Sequence, residues 1–359
     1  MNVLQVLGAE DRGGAHDFAL DLAKDLRARN HCITTSFIFR KEQSGRPNEH
    51  VTLRTAPPYL AGVPLALLRL VTLARKCQPD ILVSHTPSAS LMSAFLRASL
   101  RIRRHIVVVH SPLQPKRFLL EHAARNRVPI NVGTHIVAVS PSVRHSIATY
   151  CPSALPRTLV IRNGLPPDFD SQSFAKRAEA KVCNPGSPLR IVTVGRLAPE
   201  KNQAAIIRSI ASTPSIHLTI VGEGPSRQEL TALVSSLDLS KRVVFAGHVT
   251  RTKLHSLLWE SDVFVLPSLF EGLPLALIEA MSLGLPCLAS DIPASRDVLG
   301  DYSGLFHPTD IEALAVLIRL ARIDPAFKQT LVDEAAKRLP LFTRQTMVDA
   351  YHALFCRTS

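Results

Sequence analysis

The stretch DVFVLPSLFEGLPLALIEAMSLGLPCLASD, residues 262–291, contains the pattern that decides the fold. Its apolar run at 263–266 predicts a buried strand, and residues 275–283 have the composition of a helix. Pro274 precedes this helix and Gly284 follows it, which is the usual punctuation of helix ends. A second short strand begins at Cys287. Strand, helix and strand in this order are typical of a parallel α/β sheet.

Two carboxylates in this stretch are placed unusually. Glu271 falls in the turn before the predicted helix, and Glu279 lies inside the helix between Ile278 and Ala280. A carboxylate in apolar surroundings is costly unless it is hydrogen-bonded. Gly272 and the amides after it open onto a helix N-terminus, a geometry that can hold a phosphate. We therefore interpret Glu271 and Glu279 as contacts to one elongated ligand.

The alternation of strands and helices continues on both sides of this stretch. It predicts one doubly wound α/β domain before a proline-rich polar connection and a second one after it. The predicted parts are an N-terminal domain (1–165), a connection (166–188), a C-terminal domain (189–340) and a last helical segment (341–359). Ligands of such sheets bind outside the carboxyl ends of the strands, and the cleft between two sheets is the default site.

The charge of the chain is one-sided. The net charge is +13, and residues 1–165 contain 22 Lys and Arg against 9 Asp and Glu, whereas the remainder contains 20 against 20. A basic field of this kind attracts acidic lipid, nucleic acid or a phosphorylated substrate. The alternative is a soluble protein that is basic without a partner.

Cysteine spacing and hydropathy exclude several classes of protein. The six cysteines form no CxxC pair, which argues against a zinc site or a disulfide framework and fits a reducing cytoplasm. The chain has no run of eighteen uncharged apolar residues, so we predict no transmembrane helix. The first residues are predicted to form a strand and not a signal peptide.

A loop with two cations follows the predicted strand 190–194. Arg196 and Lys201 flank a helix start, and Gly195 leaves room at the strand end. A lysine at a helix N-terminus opposes the helix dipole, which makes sense if an anion such as a diphosphate binds there. The alternative is a solvated lysine beside an ordinary Pro-Glu helix start.

Three further loops give weaker signals. Gly13 and Gly14 precede the first helix, where they allow either a close backbone approach to a ligand or a plain tight turn. His110 ends a strand and is either a site residue or a structural histidine. The run 221–225 matches no nucleotide fingerprint and is most simply a turn.

The motifs VGRLAPEKN (194–202) and EGLPLALIEAMSLGLPCLASD (271–291) together resemble the retaining GT-B glycosyltransferases of family 4. Glu271 and Glu279 match the E-x7-E motif of that family. Supporting matches in the same order are Gly13-Gly14, VAVS (137–140), IRNG (161–164), VGEGP (221–225), VFAGHV (244–249) and the last helix. The resemblance implies two doubly wound, Rossmann-like domains that face each other across a cleft, with a C-terminal helix that returns to the first domain.

The resemblance also implies a role for single residues in binding a nucleotide-diphosphate sugar. Arg196 and Lys201 would hold the diphosphate, Glu279 the ribose hydroxyls, and Glu271 the sugar. The other implied donor contacts are Gly13, Gly14, Glu223, Val244, Phe245, Gly272, Leu273, Pro274 and Leu275. His110 would contact the donor sugar, so the expected catalytic set is His110, Arg196, Lys201 and Glu271.

The activity implied by the resemblance is transfer of a hexose-type sugar with retention of configuration. The diphosphate would leave from the front face, stabilised by Arg196 and Lys201. The chain lacks a DxD-type acidic pair at a strand end, so we expect no metal ion and no cofactor. The donor would be linked to UDP, GDP or ADP, and the acceptor would be a cell-envelope glycan or glycolipid, as in lipopolysaccharide or other polysaccharide biosynthesis.

Three segments of the first half are both basic and apolar: 64–76, 91–104 and 114–127. Basic amphipathic helices bind anionic membrane surfaces, although the first two segments could simply cover the sheet. We expect Lys116, Arg117 and Phe118 to contact the membrane or the acceptor. The predicted location is therefore cytoplasmic and peripheral, on the inner face of the cell membrane. Binding to anionic liposomes should then weaken with salt and with charge reversal at Lys116 and Arg117.

Two other classes of protein are compatible with parts of the sequence. A non-hydrolysing sugar-nucleotide epimerase has a similar two-domain architecture, but the E-x7-E pair and the loop of Arg196 and Lys201 favour transfer. A non-catalytic binder of anionic polymers would explain the charge. Nucleic acid is disfavoured because one Trp and four Tyr offer few stacking partners, and no basic motif is interleaved with aromatic residues.

Overall fold

The computed structural model describes residues 1–9, 14–39, 50–52, 62–113, 128–169, 187–213 and 215–357. The chain divides into two compact units. The first comprises Met1–Asn163 and Gln345–Ser359, and the second comprises Gly164–Arg344. In the described part of the chain, none of the helices is long and apolar enough to cross a membrane.

The first unit contains a seven-stranded parallel sheet with the strand order β3-β2-β1-β4-β5-β6-β7. The strands are β1 (Asn2–Ala9), β2 (Cys32–Phe39), β3 (His50–Thr52), β4 (Ile81–Ser84), β5 (Arg104–Val109), β6 (His135–Ala138) and β7 (Thr158–Val160). The helices between them are α1 (Gly14–Ala28), α2 (Gly62–Cys77), α3 (Pro87–Leu100), α4 (Val128–Asn131) and α5 (Pro141–Tyr150). Central β1 sets the register, since Val3 pairs with Ile33 on one side and with Ile81 on the other.

Local sequence explains why these elements form. Every residue of β4 and β5 is buried, as expected for a parallel sheet that is covered on both faces. Two of the helices begin at a hydroxyl cap followed by proline at the first helical position. Thr86 accepts a hydrogen bond from the backbone N–H of Ala89, and Ser140 accepts one from that of Val143.

The C-terminal helix packs within the first unit. Its buried side chains include Tyr351 and Phe355, and the Tyr351 ring lies 6.2 Å from that of Phe18. Arg104 donates from Nη1 to the carbonyl of Phe355 at 2.7 Å and from Nη2 to the carbonyl of Leu354. Because the last carbonyls of a helix have no partner inside it, this guanidinium caps the helix.

The second unit contains a six-stranded parallel sheet with the order β10-β9-β8-β11-β12-β13. The strands are β8 (Leu189–Val194), β9 (Ile216–Val221), β10 (Val243–Gly247), β11 (Val263–Leu266), β12 (Cys287–Ser290) and β13 (Leu305–Phe306). The helices are α6 (Gln203–Ser209), α7 (Arg227–Ser236), α8 (Arg251–Glu260), α9 (Leu275–Ser282), α10 (Pro293–Leu299), α11 (Ile311–Ile323) and α12 (Pro325–Ala336), and α13 (Arg344–Cys356) follows.

The strand order reverses once in each sheet. In the first unit the reversal lies between β1 and β4, and in the second unit it lies between β8 and β11. Chains leave two such strands in opposite directions, so a crevice opens outside their carboxyl ends, and ligands of doubly wound sheets bind there. In the second unit this crevice is bordered by the loop after β8 and the loop after β11.

Candidate functional site

Direct hydrogen bonds join the loops after β8 and β11. The Asn202 side chain donates from Nδ2 to the carbonyls of Pro267 at 3.3 Å and Pro308 at 3.0 Å. The Leu269 N–H donates to the carbonyl of Glu200 at 2.8 Å. Asn202 has a φ of 50°, a left-handed conformation that asparagine tolerates better than most residues. Asn202 is not among the residues predicted for the site, although an asparagine directly before a helix is a recognisable signal.

The same two loops bring Lys201 and Glu271 into contact. Lys201 Nζ lies 2.5 Å from Glu271 Oε1, and the hydroxyl of Ser268 donates to the same oxygen at 2.7 Å. The carboxylate is largely buried, since the side chain of Glu271 is 10% exposed and that of Lys201 is 24% exposed. Two predicted site residues that lie 70 positions apart thus form one ion pair. Ser268 is a partner that sequence reasoning missed.

Arg196 lies in the same loop as Lys201, five positions before it. Its side chain is 65% exposed, and Nη2 lies 2.5 Å from Glu200 Oε1. Burial raises the pKa of Glu200, but the hydrogen bond and charge of Arg196 outweigh it, with Lys201 adding to them, so the pKa is lowered. The backbone of Arg196 is held by Gln203, whose Nε2 donates to its carbonyl at 3.0 Å. The guanidinium is therefore accessible to a dissolved anion, although Glu200 already pairs with it.

The turn after β11 leads into α9 without a capping side chain. Gly272, Leu273 and Pro274 are buried, and Pro274 occupies the cap position, where no side chain accepts from the helix. An uncapped helix N-terminus can hold an anion with its backbone N–H groups. Leu275 is the first helical residue, and Glu279 is half-buried between Ile278 and Ala280, which are buried. Residues one position apart do not face each other on a helix, so the apolar surroundings of Glu279 stay a prediction.

The glycines after β9 bring a second loop against the loop after β8. Gly222 has a φ of 134°, and a Cβ on it would lie 2.0 Å from the carbonyl oxygen of Gly195. A Cβ on Gly224 would lie 2.3 Å from the carbonyl oxygen of Leu197. Hydrogen bonds join the loops, because Gly195 donates to Val221 and Leu197 donates to Glu223. These glycines support the cationic loop by close packing, which is more than the plain turn expected from the sequence.

Val244, Phe245 and Glu223 border the same loops. Val244 is exposed on β10, and the guanidinium of Arg227 lies 4.3 Å from the centre of the Phe245 ring. Arg227 Nη1 also lies 3.4 Å from Glu223 Oε1. Arg227, which sequence reasoning missed, therefore connects two predicted residues. An arginine stacked on an aromatic ring offers a flat surface suited to a planar ligand group.

His110 lies in the first unit, directly after β5. Its Nε2 is 3.0 Å from His85 Nδ1, and the ring of Phe18 contacts it edge-on at a centroid distance of 5.6 Å. Burial lowers the pKa of His110 to about 4, so the imidazole is neutral at pH 7 and offers a hydrogen bond and not a charge.

Of the other residues predicted to contact a ligand from the first unit, Gly14 is the first residue of α1. Gly13 and the predicted membrane contacts Lys116, Arg117 and Phe118 lie outside the described residues.

The buried histidines of the first unit predict a loss of stability in acid. Burial is also the main cause that lowers the pKa of His105 to about 4, and its Nε2 lies 2.9 Å from the hydroxyl of Ser84. An unfolded histidine takes up its proton near pH 6.5, so between about pH 6.5 and 4 the unfolded state binds more protons. Folding stability should be complete above this window and fall by about 2–3 kcal/mol per histidine at pH 4.5.

Urea unfolding at pH 7 and pH 4.5 measures this loss. His105→Gln should reduce the difference between the two pH values, while His217→Gln, at an exposed position of β9, should leave it unchanged. Equal stability of the wild-type chain at both pH values would contradict the assignment of neutral buried histidines.

A possible metal-binding cluster lies elsewhere in the first unit. Within the described ranges, the group of His31, His352 and Cys356 is the one whose ligand atoms all lie within 4.8 Å of one another. His31 Nε2 and His352 Nδ1 are 2.9 Å apart, so the two imidazoles already hydrogen-bond each other. None of the three is a predicted site residue.

Comparison with known proteins follows the division into two units. The Glycosyltransferase Family 4 model matches residues 12–169, and the Glycosyl transferases group 1 model matches residues 175–338. Among solved structures, HepE from Anabaena in complex with UDP and glucose matches with a TM-score of 0.83 and 20% identity, over all of both chains. The fold is a two-domain, Rossmann-like GT-B fold, and the predicted fold class is confirmed.

The chain belongs to the group 1, family 4 glycosyltransferases, since the two models together leave only 1–11, 170–174 and 339–359 unmatched. A curated relative is LpsD of Rhizobium meliloti, a lipopolysaccharide core biosynthesis glycosyltransferase, with 31% identity over 183 residues, 50% of this chain and 53% of LpsD. Another is the UDP-Gal:alpha-D-GlcNAc-diphosphoundecaprenol alpha-1,3-galactosyltransferase of Escherichia coli, with 42% identity over 137 residues, 35% of each chain. The matches span about half or less of the length of these relatives.

Proposed function

We propose that the protein is a glycosyltransferase that moves a hexose-type sugar from a nucleotide-diphosphate sugar to an acceptor with retention of configuration. One observation carries this proposal. The Lys201–Glu271 pair joins two loops at the point where the strand order reverses. The loop of Lys201 also carries the exposed Arg196, and the loop of Glu271 leads into α9, which has no capping side chain. Cations and a helix N-terminus together form a site suited to a diphosphate.

The chemistry of transfer fits these groups without an additional nucleophile. The bond between the anomeric carbon and the diphosphate breaks, and the acceptor oxygen bonds to the same face while its proton passes to the departing diphosphate. Negative charge grows on the leaving group, where Arg196 and Lys201 would stabilise it. Glu271, held by Lys201 and Ser268, would position the sugar, and neutral His110 would donate or accept a hydrogen bond. No step of this scheme uses a metal ion or a cofactor.

UDP is the donor nucleotide that we favour among UDP, GDP and ADP. HepE, which shares the fold, binds UDP and glucose, and the Escherichia coli relative uses UDP-Gal according to its name. In the second unit, Glu279 would bind the ribose, and the surface of Val244 and Phe245 would border the base. The stacking of Arg227 on Phe245 supports this position for a planar group, whereas Val244, the preceding residue of the strand, points to the opposite face.

The acceptor that we propose is a cell-envelope glycan or glycolipid at the inner face of the membrane. LpsD acts in lipopolysaccharide core biosynthesis, and the name of the Escherichia coli relative contains a diphosphoundecaprenol acceptor. In the first unit, α2 packs Ala66 and Leu70 into the core but exposes Leu65 and Leu68. The helix thus covers the sheet with one face and presents apolar side chains on the other, which supports a peripheral membrane contact from the cytoplasm.

A panel of UDP-, GDP- and ADP-sugars tests the donor site by thermal shift. A ligand that binds the folded state raises the melting temperature, and we expect UDP-sugars to raise it most.

Glu279→Gln should lower the affinity for the donor by about tenfold to a hundredfold, through loss of a charged hydrogen-bond acceptor. Glu260→Gln, on α8, is a matched control. A new sugar epimer formed from donor alone would instead identify an epimerase, and the absence of any shift would exclude the donor site.

A further inference from the structure

A cavity of about 990 Å³ lies at the amino-terminal edge of the sheet in the first unit. It is lined by Arg75, Arg101, Arg103, Arg104 and Arg357, and among the described residues that line it Asp80 is the one acidic side chain. Oδ2 of Asp80 already accepts a hydrogen bond from the backbone N–H of Asn2 at 2.7 Å. We call this cavity the arginine pocket. Its charge is strongly positive and is not compensated by its own walls.

Four arginines of the pocket lack the ion pairs that some arginines of the second unit form. There, Arg190 and Arg296 each form an ion pair, with Asp262 and Asp291 respectively. Arg75, Arg101, Arg103 and Arg357 have no ion-pair partner in the part of the chain that the structure describes. Like charges that converge on one cavity repel each other, and a bound anion removes this cost.

Arg104 supplies a second, independent indication. It is 8% exposed, and its two terminal nitrogens bind the carbonyls at the end of α13. Its Nε is buried and has no hydrogen-bond partner among the described residues. Arg104 therefore adds to the wall of the pocket a largely buried positive charge, and among the described residues no carboxylate forms an ion pair with it.

The backbone at the rim of the pocket is strained in the same place. Arg101, at the end of α3, has a φ of 55°, and Gln78, after α2, has a φ of 43°. Glycine is the usual residue at such helix ends, since a side chain there costs about 1–2 kcal/mol. The same conformation occurs at Asn30 and Asp238, so it places Arg101 at the rim of the pocket without itself indicating a ligand.

We propose that the arginine pocket binds a phosphoanion with at least two negative charges. Guanidinium groups match phosphate oxygens with two parallel hydrogen bonds, so several arginines suit a pyrophosphate or a phosphomonoester better than a monovalent ion. The pocket is separate from the proposed transfer site. Arg104 begins β5 and His110 follows its last residue, so the two residues lie at opposite ends of one strand. The phosphoanion is either a soluble molecule or the headgroup of a lipid.

Calorimetric titration with inorganic pyrophosphate tests the pocket in the full-length chain. The Arg196→Ala, Lys201→Ala background removes the cations of the transfer site, so that only the arginine pocket is measured. In that background, Arg101→Gly with Arg103→Gln should weaken binding at least tenfold. The melting temperature of Arg101→Gly alone should stay equal or rise, because glycine relieves the left-handed residue. If Arg101 had a purely structural role, pyrophosphate affinity would fall only together with the melting temperature. A loss of affinity without a lower melting temperature therefore indicates that Arg101 binds the ligand.

Two control variants separate charge and backbone effects. Asn30→Gly changes another left-handed residue of the first unit, with a φ of 63°, and Lys24→Gln removes an exposed cation of α1. Both should bind pyrophosphate as the parent does. Equal affinity in the pocket variant, or an equal loss in the two controls, would overturn the proposal.

Vesicles distinguish the two sources of the phosphoanion. Phosphatidic acid exposes a phosphomonoester, whereas phosphatidylglycerol at the same molar fraction exposes only a phosphodiester. Pyrophosphate binding without a preference for phosphatidic acid supports a soluble ligand. A preference for phosphatidic acid that disappears in the Arg101→Gly, Arg103→Gln variant supports a lipid headgroup. Lack of binding to both pyrophosphate and phosphatidic acid would refute the site.

Discussion

Lys201→Ala is expected to lower kcat for sugar transfer by about 10²–10³-fold, with a smaller change in the KM for the donor. The lysine stands beside the proposed diphosphate position and is held in place by Glu271 at 2.5 Å. Its charge matters most when the diphosphate departs, so its loss affects the transition state more than the bound donor. Steady-state kinetics with a UDP-sugar and its acceptor separate the two constants. Arg196→Ala should change them in the same direction.

Removal of Lys201 should also lower the free energy of unfolding, by about 1.5–3 kcal/mol. Glu271 is largely buried and, among the described residues, keeps the hydroxyl of Ser268 as its one partner once the ammonium group is lost. A buried carboxylate that loses its cation is more costly than the absence of both charges. Lys201→Ala combined with Glu271→Gln should therefore be more stable than Lys201→Ala alone, while its turnover stays low. Urea unfolding of the four chains of this double-mutant cycle measures the coupling.

Lys253→Ala is the matched control, because Lys253 is an exposed lysine on α8 of the same unit. It should change neither turnover nor stability by a measurable amount. If Lys201→Ala lowers stability but keeps full turnover, the ion pair is structural only, and the leaving-group role of Lys201 is wrong.

The central stretch of the second unit was the easiest part of the fold to predict. The apolar runs of β11 and β12 are buried along their whole lengths, and Pro274 and Gly284 mark the ends of the helical segment between them. The pattern does not predict α10 or α12. With seven residues, α10 has too few turns to show a helical period, and α12 buries only Leu331 and Ala335. Its start at Asp324 is nevertheless a recognisable cap, since that side chain accepts from Ala326 and Phe327.

The sequence predicts which residues belong to the candidate site but not how they pair. Lys201 and Glu271 each lie after a strand, and their contact depends on β8 and β11 being neighbours in the sheet. Local patterns do not contain the strand order, so the sequence leaves open whether Lys201 binds an anion or is solvated, and it does not indicate the pairing with Glu271 that the structure shows. The roles of Ser268 and Asn202 depend on the same order, because both act across the two loops.

Gly222→Ala is expected to lower the free energy of unfolding by about 3 kcal/mol or more and to abolish donor binding. A methyl group there would lie 2.0 Å from the carbonyl oxygen of Gly195, and the φ of 134° disfavours any side chain. The clash is with backbone and not with a flexible side chain, so relief requires that the loop after β8 moves. That loop carries Arg196 and Lys201. Thermal unfolding and titration with UDP measure the two effects.

Gly195→Ala is a control within the same contact. A methyl group on Gly195 would meet only the side chain of Lys201, at 3.7–3.8 Å, which is ordinary van der Waals distance. Stability should therefore stay within about 0.5 kcal/mol of the parent. The donor should nevertheless bind more weakly, because Gly195 is expected to let the protein backbone at the end of β8 approach the ligand closely.

Gly222 and Gly195 contact each other, but the two variants test different properties. Gly222→Ala tests whether the loop after β8 is supported, and Gly195→Ala tests whether that loop leaves space for the ligand. Gly222 faces a backbone carbonyl and is required by the fold of the loop, whereas Gly195 faces the open side where Lys201 lies. If both variants lose stability, the loop has no free space at Gly195 and the proposed diphosphate position is wrong. If Gly195→Ala keeps both stability and UDP affinity, the ligand does not approach the end of β8. A diphosphate held between the loops after β8 and β11 requires both of the following results. The Gly195→Ala variant must be stable and bind UDP more weakly, and the Gly222→Ala variant must be unstable.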